Sequence, residues 1–140
     1  VAQFGLSGRP EVDRAWRGQP IRDDSVRRSN VRGTLTFASA GENTRTTQLF
    51  FNLADNGRLD GMGFAPVGRV VGGMSSVDSL YAGYGDGPPR GQGPSQGRIL
   101  EEGNAYLAEA FPELDSIRDV RVQEGPAPDT PAARDTPTAG

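Results

Sequence analysis

Residues 33–53 read GTLTFASAGENTRTTQLFFNL, two apolar runs that bracket a loop of small and turn-forming residues. The first run extends back to Val31: Val31, Leu35 and Phe37 share one side, and Arg32, Thr34 and Thr36 the other. A period of two predicts a half-buried strand over Val31–Phe37. The second run, Thr47–Leu53, sets Leu49, Phe51 and Leu53 on a face expected to meet the core, and Gln48, Phe50 and Asn52 on the other. Phe50 is the anomaly. It reads as a lone exposed aromatic, as part of a sheet covered on both faces, or as a shallow apolar floor whose flanking amides can bond a peptide backbone.

Outward from this segment the signals remain short. Val1–Leu6 (VAQFGL) predicts a strand that closes on Gly5, and residues 7–30, with two prolines and many charges, a surface excursion anchored by Trp16 and Ile21. Asp55-Asn56-Gly57 marks a turn, and Phe64–Val71 reads as a strand whose Pro66 suits an edge. Ser75-Ser76-Val77-Asp78 has the form of a capping box for a short helix that Gly83 ends. A second helix is expected over Asn104–Phe111, capped by Asn104 and followed by Pro112, and a last strand over Ile117–Val122. Residues 125–140 hold no large apolar side chain, so a disordered Pro-rich tail is expected there. The strands and turns together predict an all-β barrel or sandwich with helical caps.

Composition narrows the chemistry. A chain of 140 residues, 34% hydrophobic and 24% charged, suits one small domain. Its net charge of −3 supplies no field for nucleic acid. There is no Cys, His or Lys, and all 15 basic residues are arginine. Thiol or His-dependent nucleophiles, Schiff-base lysines, the P-loop lysine and Cys/His zinc sites are excluded. Without cysteine, the redox compartment is not legible. The Gly/Pro-rich run 83–97 lacks phosphate-cradle spacing, and no apolar run is long enough to insert in a membrane. The carboxylate pairs Asp23–Asp24 and Asp55–Asp60 sit in turn-like stretches without calcium-loop spacing, so neither metal nor cofactor is expected.

The segment 33–53 resembles the signature of cyclophilin-type peptidyl-prolyl cis–trans isomerases, in a form closest to the bacterial branch. VAQFG at the start agrees in order, as do RLDGMGFAPVGRVVGGM (58–74), DSLYAGYGDGPPRGQGPSQGRI (78–99) and EEGNAYLAEAFPELDSI (101–117). The resemblance implies an antiparallel β-barrel over residues 1–124 with short capping helices. It also implies that the barrel is incomplete at its N-terminus, because the family's catalytic arginine, early strands and one helix lie before the segment matching Val1.

Carried over by position, the family's groove falls on nine residues here. Val1 takes the place of an apolar wall and Gln3 that of a backbone-binding glutamine. Ala38, Ser39 and Ala40 match the small triplet beside the bound peptide. Gln48 matches the second glutamine and Phe50 the floor under the proline ring, while Leu59 and Phe64 match two further walls. Gln3 and Phe50 are the closest to a catalytic role. Arg58 replaces a groove tryptophan of many relatives; it and Arg45 are expected to be surface charges. The implied partners are proline-containing peptides and unfolded clients, with a monomer expected for the complete domain. The implied activity is prolyl isomerisation that assists folding; the alternative is a proline-peptide-binding module without catalysis.

Overall fold

The computed structural model describes residues 1–125. Four strands, β1 (Ala2–Phe4), β2 (Thr34–Phe37), β3 (Leu49–Phe51) and β4 (Pro66–Arg69), form one sheet in the order β1-β3-β2-β4. All neighbours run antiparallel, with a register shift between Leu35 and Thr36 where β2 meets β4. Among the described residues both outer strands lack a partner on their far side, so the sheet is open. This overturns the expected all-β barrel: four strands with two free edges do not close, and helices supply much of the rest. The domain is mixed α/β.

Helix α1 (Pro10–Arg17) lies inside the stretch expected to be an irregular excursion. Its signals are present in the residues: Pro10 in the first turn, acidic Glu11 and Asp13 near the start, Arg14 and Arg17 near the end, and Gly18 after it. The two prolines that suggested a loop are its boundaries. Asp13 is buried and its carboxylate accepts the Ser7 backbone N–H at 2.8 Å, tying the helix to the end of β1. The expected anchors are exposed instead: Trp16 at 56% and Ile21 at 45%. Ile21 is held by its backbone, which donates to the Arg45 carbonyl at 2.9 Å.

Helix α2 (Met74–Asp78) begins after Gly73 with no side-chain cap, so the expected box does not form. Helices α3 (Gln96–Glu102) and α4 (Asn104–Ala110) make a tight hairpin. At its corner Gly103 has φ +65°, and a methyl there would run into the Gly8 carbonyl. Asn104 is therefore not the cap. It is the first helical residue, and its backbone N–H donates to Gly8 at 2.8 Å. Residues 117–122 form no strand; Ile117, Val120 and Val122 are exposed, and no strand among the described residues pairs with them. Of the expected tail, all but Gly125 lies outside the described residues.

The two faces of the sheet differ from the expected pattern. Leu35, Phe37, Leu49, Phe51 and Leu53 are only half-buried, and Phe51 stacks on Phe4 with ring centres 5.2 Å apart. The opposite face holds the most deeply hidden residues: Thr36 and Asn52 at 0% exposure and Phe50 at 5%. The segment at Asn30 and the 3-10 turn Gly57–Met62 cover this face, and they bring buried Leu59 with them. Polar side chains tolerate that burial because they bond one another. Thr36 donates to Asn30 Oδ1 at 2.8 Å, and Asn52 donates to the same oxygen at 3.1 Å.

Candidate functional site

Cross-strand register assembles the site. Gln3, Phe50 and Thr36 are direct neighbours across β1, β3 and β2, so their side chains share one face. Gln48, two residues before Phe50, lies on the same face, and Gln3 donates a hydrogen bond to its Oε1 at 2.9 Å. Phe64 meets Phe50 edge to face, ring centres 5.9 Å apart at 70°. The structure thus juxtaposes two amides with an aromatic pair. Of the three sequence readings of Phe50, the lone exposed aromatic is ruled out. Phe50 is packed under cover, with polar residues around it.

The covering elements are pinned by the Asn30 side chain. It donates to Asp60 Oδ1 at 2.7 Å and to the Phe64 carbonyl at 2.8 Å, while Ser29 donates to Asp60 Oδ2 at 2.5 Å. Phe64 in turn donates its backbone N–H to the Leu59 carbonyl at 3.2 Å. These hydrogen bonds, the Ser29 hydroxyl first and then the Asn30 groups, hold the Asp60 carboxyl below the usual carboxylate range. Leu59 and Phe64 are therefore placed by a polar tether. Asn30 escaped the sequence reading, and Asp60 was read only as a turn carboxylate, because nothing local reveals that residues 30 apart share a bond.

The remaining expected positions divide. Ala38 donates its backbone N–H to the Gln48 carbonyl at 3.0 Å, which sets the small triplet beside the glutamine. Ala40 is held by Thr44 Oγ1 at 2.8 Å, Ser39 is half-buried, and Val1 is 60% exposed at the chain's start. Ser39 and Phe64 also line a cleft of about 600 Å³ together with Met62, Asp23, Asp24 and Glu42.

Arg45 departs from the expected surface charge. It is 6% exposed, paired with Asp23 at 3.4 Å and Asp24 at 3.2 Å, and its guanidinium lies 5.2 Å from the centre of the Phe37 ring. A buried arginine demands such partners, and they account for the Asp23–Asp24 pair. Arg58 is exposed, as expected. Asp55 accepts the Arg32 backbone N–H at 2.9 Å, a turn-stabilising contact. Among the described residues no group of three or more acidic side chains is arranged to hold a metal ion, and no helix is long and apolar enough to cross a membrane.

Comparison with known proteins then gives the lineage. Residues 3–101 match the family described as cyclophilin type peptidyl-prolyl cis-trans isomerase/CLD. The chain belongs to the cyclophilin-type isomerase family. The match contains Gln3, Gln48, Phe50, Leu59 and Phe64 within one continuous span. One relative is the peptidyl-prolyl cis-trans isomerase A of Dickeya dadantii (strain 3937), 41% identical over 56 residues. That alignment covers 36% of this cyclophilin-family chain and 30% of the relative's length.

Proposed function

We propose that the Gln3–Gln48–Phe50–Phe64 face is a proline-peptide groove and that the protein is a peptidyl-prolyl isomerase acting on flexible or unfolded segments. What carries this reading is the pairing of an aromatic floor with amide donors on one face: Phe50 edge-to-face with Phe64, and Gln3 bonded to Gln48 beside it. In this reading a pyrrolidine ring meets the half-exposed Phe64 ring, which the buried Phe50 backs from below, and the peptide backbone on either side has amides to bond.

The chemistry asks for nothing that the composition excludes. Ordinary peptide rotation meets a barrier of roughly 18–20 kcal/mol, and uncatalysed X–Pro isomerisation takes on the order of tens to hundreds of seconds. No bond is broken, so no base, nucleophile or metal is required. The accelerating contribution is preferential binding of the twisted amide, whose nitrogen and carbonyl change in polarity as conjugation is lost. In this reading Phe50 and Phe64 seat the ring, Leu59 and Val1 wall it, Gln3 and Gln48 bond the backbone, and Ala38, Ser39 and Ala40 let the peptide approach closely. No cofactor takes part.

One observation favours a second reading, a peptide-binding module without catalysis. Arg45, the arginine within the 33–53 segment, is committed to Asp23, Asp24 and the Phe37 ring. Exchange spectroscopy on an Ala-Pro peptide separates the two. Acceleration of cis–trans exchange that Phe50→Ala lowers at least about tenfold supports the enzyme. Binding that Phe50→Ala removes, without acceleration, supports the module. A peptide that neither binds nor exchanges faster refutes both.

A further inference from the structure

A third glutamine joins the two already described. Gln48 donates from Nε2 to the Oε1 of Gln96 at 3.2 Å, as Gln3 donates to the Oε1 of Gln48. The three carboxamides form a relay across residues that are 45 and 48 positions apart in the chain. Turning the Gln48 amide alone would set nitrogen against nitrogen at one end and oxygen against oxygen at the other. Both neighbours therefore favour the same orientation of the Gln48 amide.

Gln96 is delivered to that spot by an anchored element. It is the first residue of α3, directly after Ser95, whose hydroxyl caps the helix by accepting from the Arg98 N–H. The Ser95 N–H donates to the hydroxyl of buried Tyr106 at 3.2 Å, and the Arg98 guanidinium lies 4.1 Å from the centre of the Tyr106 ring. The α3–α4 hairpin is itself fastened near the end of β1 through Asn104 and Gly8. A chain of tertiary contacts thus runs from the helical hairpin to the edge of the groove.

We propose that Gln96 is a positioning residue for peptide recognition: it accepts one Gln48 N–H and so holds the other N–H ready for a substrate carbonyl. This inference rests on the proline-peptide reading of the same face. Bonds between exposed amides add little to stability, because water replaces them. A merely structural role would therefore be redundant, whereas an orienting role would register in binding.

The test uses the 140-residue chain and the variants Gln96→Met, which keeps the length of the side chain without its acceptor, and Gln96→Glu, which keeps an acceptor oxygen. An Ala-Pro peptide is titrated while the side-chain amide resonances of Gln48 are followed, and each variant is melted. Gln96→Met is expected to move the free-state Gln48 resonances and to weaken the peptide by about three- to tenfold. The melting temperature should stay within about 3 °C of the parent, and Gln96→Glu should recover most of the affinity. Unchanged affinity in Gln96→Met overturns the inference while leaving the groove in place, as does a fall in affinity matched by a larger fall in melting temperature. If the unmodified chain fails to bind the peptide, the groove reading and this inference fall together.

Discussion

The two faces of the sheet are held by opposite means. One hides Thr36, Asn52 and Phe50 almost completely and secures its cover with hydrogen bonds centred on Asn30. The other carries Phe4, Leu35, Leu49 and Phe51, and leaves them half-exposed. Apolar content alone would have ranked the faces in reverse. Burial follows cover, and cover here is recruited by directional polar bonds whose partners must all be present. The hydrogen-bonded face is the one that carries the candidate groove, and it has the fixed geometry that recognition requires. The apolar face keeps contact area but little to enforce a single arrangement.

The largest effect should come from breaking the polar hub. Asn30→Ala removes the side-chain donor to Asp60 and to the Phe64 carbonyl, and it strands the Thr36 hydroxyl and one Asn52 N–H in the interior, while Asn52 keeps its bonds to Thr34 and Asn56. Each buried group left without a partner costs about 1–3 kcal/mol, so a loss of at least about 3 kcal/mol is expected from urea unfolding. A loss below about 1 kcal/mol would show that cover, not bonding, holds this face.

A smaller change is expected on the apolar side. The single substitution Phe51→Thr dissolves the stacked pair. It should cost roughly half of what truncating a fully buried aromatic does, about 2 kcal/mol. The same change should reduce self-association, because a half-exposed apolar face and free strand edges invite it. Light scattering as a function of concentration checks this; equal scattering from parent and variant would remove the argued asymmetry.

The mildest prediction concerns acid. The Asp60 carboxyl is held below its ordinary range by Ser29 and Asn30. A group whose folded pKa is depressed stabilises the fold above its unfolded value, about 3.9, and that contribution is lost as the pH falls through the folded value. Asp60→Asn should therefore melt lower than the parent at neutral pH and show a shallower decline below about pH 4. Parallel melting curves for parent and variant across that range would detach Asp60 from the acid response.

Much of this was readable along the chain. The strands at 34–37 and 49–51, the odd placement of Phe50 and the amides beside it follow from alternation in residues 31–53. Helix α1 was also written there, in Pro10, the acidic first turn and Gly18, but charge and proline content obscured it. Ile117–Val122 misled for the converse reason: strand-like residues form a strand only beside a partner, and none among the described residues pairs with them. Arg45 looked like a surface charge because its carboxylate partners lie more than 20 residues away.

Local order and residue chemistry were determined by the sequence itself: which segments alternate, which ends are capped by proline or glycine, and which reaction classes lack the side chains they need. Tertiary structure alone decided which sheet face is covered, that the sheet stays open, and that Gln96 meets Gln48 across 48 positions. The reason is physical. Alternation states only that two faces differ, whereas burial depends on what packs against each one. That choice is made by hydrogen bonds between residues far apart in the chain.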